Sequence, residues 1–332
     1  MSTRSSPFTD LLKQPGRRAV VLDGGLATEL EHQGQDLSQG DLWSARLLAE
    51  NPEAVQQVHR AYYAAGADVA TTCSYQASHQ GFAQAGYAQD AADELMRRSV
   101  QLADAARCSM HDHTSNSPGR RLVAFSCGTY GAVSADGTEY DGNFADKVTV
   151  EQLMDFHMRR LEAVAHETAI DLVAFETIPC AKELEAIARL ARTQALPAPA
   201  WVSVSCKDDS HTCHGEDFAA SCLPLLIDCD AIVAVGFNCT APRHIVPLLH
   251  NARCALEQHR AQSRKLLLAY PNSGEGYVSS QQGWDGMPDL TAEQYGSAAR
   301  QWVAAGARLI GGCCRTTPDH IRGVAANVID HF

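Results

Sequence analysis

Basic residues are scarce for a chain of 332: 27 Lys and Arg stand against 39 Asp and Glu, a formal net charge of -12. No run of Lys or Arg offsets that balance, which argues against a nucleic-acid-binding surface and favours a small, zwitterionic substrate. Long apolar segments are missing as well, so no stretch is expected to span a bilayer. Met1 to Arg18 is polar and mixed in charge, without the apolar core of a secretory signal, and a cytoplasmic location is the expectation. The first apolar run is not followed by a Gly-x-Gly-x-x-Gly turn, which weakens a dinucleotide-binding reading. With 45% hydrophobic residues the chain can bury a large core, and no shift in composition divides it into two domains.

Cysteine, by contrast, is plentiful: there are 12. In a reducing compartment most would be buried thiols, and for any single one, such as Cys73, Cys127 or Cys206, that is the expectation. Three stand apart. Gly311-Gly312-Cys313-Cys314 closes a late apolar run, and Gly236-Phe237-Asn238-Cys239 closes an earlier one. Three thiolates at one rim would give zinc three ligands and leave a fourth position open, the arrangement of a catalytic rather than a structural site. Neighbouring residues on a strand point to opposite faces, so Cys313 and Cys314 can share a metal only if the strand has already bent into its loop, which Gly311-Gly312 makes easy.

Eight short apolar runs recur: Ala19 to Asp23, Asp68 to Thr72, Leu122 to Cys127, Leu172 to Glu176, Trp201 to Ser205, Ile232 to Phe237, Leu266 to Tyr270 and Arg308 to Gly312. Continuous hydrophobicity without alternation marks parallel strands covered on both faces. Helix starts fall between them, at Asn51-Pro52 before Glu53 to Ala65, Thr149 before Val150 to His166, Thr291 before Ala292 to Ala305, and Thr317-Pro318 before Asp319 to Val328. Ala-Gly-Ala at Ala65 to Ala67 and at Ala305 to Ala307 ends two of these helices just before a strand. The count predicts a single (β/α)8 TIM barrel over residues 19–332 behind an N-terminal extension, residues 1–18; a doubly wound open sheet is the rival. In a barrel the C-terminal strand ends carry the active site.

Two carboxylates lie at such ends, Asp23 and Glu176. Each alone reads as a turn former or a helix cap; facing one mouth together they would hold a substrate ammonium group. Thr72 would add a hydroxyl there, or be buried in the barrel wall. The polar Lys207 to Glu216 stretch, with His211, Cys213 and His214, is a competing metal site, but lacks clean ligand spacing and reads as an exposed loop. Tyr270 to Pro288 reads as a long loop over the mouth, a candidate lid.

Six segments, in order, resemble the homocysteine S-methyltransferase family: Asp23-Gly24-Gly25-Leu26-Ala27-Thr28-Glu29-Leu30, Thr71-Thr72-Cys73-Ser74-Tyr75, Phe175-Glu176-Thr177, Gly236-Phe237-Asn238-Cys239, Tyr270-Pro271-Asn272-Ser273-Gly274-Glu275, and Gly311-Gly312-Cys313-Cys314-Arg315-Thr316-Thr317-Pro318. The resemblance runs from about residue 19 to the C-terminus. It implies a zinc barrel in which Cys239, Cys313 and Cys314 bind one Zn2+ and homocysteine sulfur takes the fourth position, with Asp23, Glu176 and Thr72 around the amino-acid part. It implies methyl transfer from a sulfonium donor, S-methylmethionine or S-adenosylmethionine, giving methionine. Betaine-using relatives carry an aromatic where Gln76 stands, which leans against betaine. No Asp-x-His-x-x-Gly motif points to a cobalamin domain. Selenocysteine or another thiol as acceptor, and a non-catalytic zinc- or thiol-binding barrel, are the alternatives.

Overall fold

The computed structural model describes residues 8–38, 42–110, 121–133, 137–193, 196–259, 265–274, 276–278, 283–285 and 289–330. Seven parallel strands come first: β1 Val20–Val21, β2 Val69–Thr71, β3 Leu122–Gly128, β4 Leu172–Ile178, β5 Ala200–Val204, β6 Ile232–Asn238 and β7 Leu266–Tyr270. An antiparallel hairpin follows, β8 Gly276–Val278 with β9 Gly283–Asp285, and the eighth parallel strand is β10 Ala307–Ile310. The sheet order is β1-β10-β7-β6-β5-β4-β3-β2, parallel at every step. A single parallel bridge, Leu22 to Val69, and the Asp68 N–H donating to the Val21 carbonyl at 2.7 Å join the two ends of the ring. The architecture is the (β/α)8 barrel read from the apolar runs.

Each strand is buried on two faces, which is why its sequence is continuously apolar. Val21, Val123, Phe125, Val173, Phe175, Val202, Val235 and Phe237 point outward and pack beneath the helices in one large core. Val20, Leu22, Val69, Leu122, Ala124, Leu172, Ala174, Trp201, Ala234, Leu268 and Leu309 fill the barrel interior in a second. Phe8 and Leu11 belong to that interior cluster, and the Phe8 ring lies 6.4 Å from Trp201. The short helix Thr9–Leu12 therefore lays its apolar side against the barrel interior. Truncating a fully buried Phe costs about 3 to 5 kcal/mol. Phe8→Ala should accordingly lower the thermal midpoint by several degrees, and an unchanged melting curve would show that this segment contributes no core.

The helices begin where their caps are. Pro52–Ala64 starts behind Asn51, whose side chain accepts from the Ala54 N–H at 3.3 Å. Val150–Ala163 and Ala292–Ala305 start with full capping boxes at Thr149 and Thr291. Gly66 and Gly306 follow two of these helices with φ of 104° and 120°, a left-handed turn that a β-carbon would strain. The first strand is shorter than its apolar run, Val20–Val21 instead of Ala19 to Asp23, because the Asp23 side chain replaces the backbone ladder there. Among the described residues no helix is long and apolar enough to cross a membrane. The lid expected over Tyr270 to Pro288 falls partly outside the described residues; the backbone at 276–278 and 283–285 forms the hairpin.

Candidate metal centre and substrate site

Three sulfurs meet at the C-terminal rim. Cys239 Sγ lies 2.7 Å from Cys313 Sγ and 3.5 Å from Cys314 Sγ, and the vicinal pair is 4.0 Å apart. A tetrahedral ion with 2.3 Å metal–sulfur bonds sets sulfurs about 3.8 Å apart. Two of the three edges match that spacing, and the third is longer than the roughly 2.05 Å of a disulfide bond. The three cysteines are half-buried, so the cluster keeps an open side. Among the described residues this is the one group of His, Cys, Asp and Glu side chains close enough to hold a metal ion. The donors are all soft sulfurs, which suits zinc.

Local backbone geometry makes the convergence possible. β10 ends at Ile310, so Cys313 and Cys314 lie beyond the strand, in a turn where the Thr316 N–H donates to the Cys313 carbonyl at 3.2 Å. Glycine is required at Gly312, since a β-carbon there would sit 2.2 Å from Thr316 Oγ1. Cys239, at the end of β6, takes φ of 47°, and Thr177 and Arg315 take 61° and 63°. Left-handed backbone at three non-glycine residues around one site is strain that the surroundings must hold. Asn238 supplies part of that hold: its Oδ1 accepts from the Thr177 N–H and its Nδ2 donates to Thr177 Oγ1, both at 2.8 Å, while Nδ2 lies 3.7 Å from Cys313 Sγ. Ser273 ties in the next loop through its N–H to the Cys314 carbonyl at 3.2 Å.

Hydrogen bonds from Cys239 and then Cys314 hold the Cys313 thiol well below the usual range, and the same contact pushes Cys239 up.

Glu176 points into the barrel from β4, and four residues fix it. Ser126 donates to its Oε1, Tyr270 donates to its Oε2 at 3.1 Å, and the Tyr270 oxygen is itself held by Ser203 and by Trp201 Nε1 at 3.1 Å. Burial raises the Glu176 carboxyl to about 7; the hydrogen bonds from Ser126 and Tyr270 oppose that rise, and the Cys313 charge adds to it. Asp23 is buried and raised well above the usual carboxylate range, first by desolvation, against hydrogen bonds from Thr71. Its Oδ2 accepts from the Thr71 N–H at 2.7 Å and from Thr71 Oγ1 at 3.0 Å. Among the described residues neither carboxyl is in an ion pair, although the buried Arg160 charge acts on Glu176, so the two form a site that gains from an incoming ammonium group.

Thr72 sits one residue past β2 and is buried. Its hydroxyl accepts from the Ser126 N–H at 3.0 Å and pairs with Ser74 Oγ at 2.7 Å, extending the junction between β2 and β3. Thr71, which sequence reasoning passed over, is the threonine whose hydroxyl meets Asp23. Also missed was Arg160, a fully buried guanidinium on the helix Val150–Ala163 that donates to the carbonyls of Gly128, Ser74, Tyr75 and Ser126. It gathers the ends of β2 and β3 beneath the mouth.

The competing stretch Lys207 to Glu216 does not assemble ligands. His211 pairs with Asp208, His214 with Glu216, and the chain folds back through bridges Cys206 to Thr212 and His211 to Asp217.

Known proteins resemble this chain along almost its whole length. The homocysteine S-methyltransferase family profile matches residues 20–328. Homocysteine S-methyltransferase 2 of Arabidopsis thaliana is 41% identical over 97% of this chain and 96% of its own length. Selenocysteine Se-methyltransferase of Brassica oleracea var. italica is 40% identical over 96% of this chain and 91% of its own. The metallated crystal structure of the homocysteine methyltransferase MmuM from Escherichia coli superposes with a TM-score of 0.81 at 38% identity, covering 96% of this chain and 99% of that one. Matched along almost its whole length, with its half-buried cysteine trio at the barrel rim, the chain belongs to the homocysteine S-methyltransferase family.

Proposed function

We propose that this protein transfers a methyl group from a sulfonium donor to the thiol of L-homocysteine, giving methionine, with one Zn2+ held by Cys239, Cys313 and Cys314. The observation that carries the reading is the open trio of sulfurs at the rim that also holds two buried carboxyls without an ion-pair partner among the described residues. Zinc bound there would lower the pKa of an incoming thiol, of which only a few per cent is ionised at neutral pH.

The protein's own residues do the rest. Glu176, clamped by Ser126 and Tyr270, and Asp23, clamped by Thr71, take the amino-acid ammonium group and so set the direction in which the acceptor sulfur points. Thr72 supports this wall from β2. The acceptor sulfur attacks the methyl carbon in line with the departing donor sulfur, and the protein contributes by holding the two sulfurs at that geometry. S-methylmethionine is the donor taken here, since Gln76, whose Oε1 accepts from Ser44 Oγ at 3.3 Å, stands where betaine-using relatives carry an aromatic and so leans against betaine. With that donor both products are methionine. The free state of all twelve cysteines suits a reducing cytoplasm.

Selenocysteine is the second acceptor to consider, because a selenocysteine methyltransferase is 40% identical over nearly the whole chain. Only acceptor kinetics separates the two. The test is methionine formation by zinc-loaded protein from homocysteine with S-methylmethionine, S-adenosylmethionine or betaine in parallel. Turnover with a sulfonium donor, abolished by a chelator, is expected. Stoichiometric zinc without turnover on any donor would point instead to a non-catalytic barrel.

A further inference from the structure

The loop after β5, with its His and Cys residues, assembles no metal ligands among the described residues, yet its base is bonded to the turn that carries Cys239. The contact is Thr240, a buried residue next to that cysteine in sequence. Its hydroxyl has one proton and two lone pairs to place. The proton goes to the Asn238 carbonyl at 3.0 Å, and a lone pair accepts from the Cys206 N–H at 2.9 Å. The Thr240 carbonyl accepts in turn from the Asn272 N–H at 3.3 Å, in the loop after β7. Thr240 is thus bonded to the loops on both sides of β6, while its hydroxyl closes a short ring across Cys239.

The loop after β5 is itself fixed. It folds back on its own base, where the Cys213 N–H donates to the Ser205 carbonyl at 3.0 Å. The His214 N–H then donates to the Pro179 carbonyl at 3.0 Å, in the turn after β4. Glu216 Oε1 accepts at 3.2 Å from the N–H of Ala181, the first residue of the helix Ala181–Arg192. Phe218, just past the loop, packs edge-on against Phe237 of β6 with ring centres 4.7 Å apart. The loop therefore ties the turn after β4 to the turn after β6, and Thr240 is the residue it grips in the second.

We propose that Thr240 is a positioning residue for zinc: its hydroxyl, backed by the loop after β5, holds Cys239 in the left-handed conformation that sets its sulfur beside those of Cys313 and Cys314. This rests on the zinc reading above. Cys239 takes φ of 47° without a glycine's freedom, and such a conformation persists only where the surroundings over-determine it. Removing the Thr240 hydroxyl takes this partner from the Asn238 carbonyl and from the Cys206 N–H at once, and the backbone on either side of Cys239 is released. A tetrahedral zinc needs its sulfurs about 3.8 Å apart, so a displaced Cys239 loosens the ion. Residues that orient a ligand without touching the metal cost about 10- to 100-fold in metal affinity when they are lost.

The experiment titrates zinc-loaded protein with a chromophoric chelator, which reads the zinc dissociation constant without any turnover. The proteins compared are wild type, Thr240→Val, Thr240→Ser and Phe8→Ala. Expected is zinc bound at least about tenfold more weakly by Thr240→Val, which keeps the shape and loses the hydroxyl, and within about threefold of wild type by Thr240→Ser, which keeps the hydroxyl. Phe8→Ala removes core packing on another element and controls for stability alone: its melting point should fall while its zinc affinity stays. If Thr240→Val does not fold, Thr240→Ala carries the same prediction. Zinc held as tightly by Thr240→Val as by wild type, or weakened equally in Thr240→Ser or Phe8→Ala, overturns the proposal while the zinc reading stands. A wild type that binds no zinc contradicts that reading and takes the proposal with it.

Discussion

Cys314→Ala should lose both its zinc and its activity, with turnover down at least about 1000-fold. Two effects multiply. A free thiol with a pKa near 8.5 is about 3% ionised at pH 7, a loss of roughly 30-fold when no metal stabilises the thiolate. Loss of the fixed sulfur position removes on the order of another 100-fold. Cys314 lies 3.5 Å from Cys239 Sγ and 4.0 Å from Cys313 Sγ, in a turn outside the strands and half-exposed, so its truncation should leave the barrel folded. Metal analysis beside methionine assays decides the matter, and turnover retained by zinc-free protein would sink the role given to the cysteines.

Glu176→Ala should act on the other half of the site. Removing one partner of a buried charge pair costs about 2 to 5 kcal/mol, so the homocysteine KM should rise roughly 100-fold while zinc stays bound. Acidity should have a milder version of the same effect. The Glu176 carboxyl, raised to about 7 by burial, is neutral below that pH and cannot pair with an ammonium group. The ratio of wild-type to Glu176→Gln kcat/KM for homocysteine should therefore fall as the pH drops through about 7. Taking the ratio cancels the ionisation of the substrate thiol, which both proteins share. A flat ratio, or an unchanged KM in Glu176→Ala, removes Glu176 from the acceptor site.

The same shift has a stability consequence. Between the ordinary value of 4.5 and about 7 the folded protein keeps a proton that the unfolded chain has released. Stability from this group is present at low pH and lost as the pH rises through about 7.

Much of this was legible in the sequence because parallel strands buried on both faces leave an unambiguous mark. The eight apolar runs became the eight barrel strands, and placing Cys239, Cys313 and Cys314 at their ends required only the barrel's polarity. What escaped has physical reasons too. Seeing that Thr71 meets Asp23 requires the register across the β1–β2 seam, where a side chain replaces the backbone ladder. Ser126, Ser203 and Tyr270 converge on Glu176 because each points inward from its strand, and a continuously apolar run does not announce which face is inside. Arg160 hides in a helix whose other basic residue, Arg159, sits beside it with nothing to tell them apart. The left-handed backbone at Thr177, Cys239 and Arg315 carries no glycine to signal it.

X-ray absorption at the zinc edge of the loaded protein, before and after adding homocysteine, bears most directly on the central claim that an open three-sulfur site takes the acceptor's sulfur. Three sulfurs and one lighter atom in the resting protein, becoming four sulfurs at about 2.3 Å with homocysteine, is the predicted result. Four sulfurs before homocysteine is added, or a spectrum that homocysteine leaves unchanged, would contradict it.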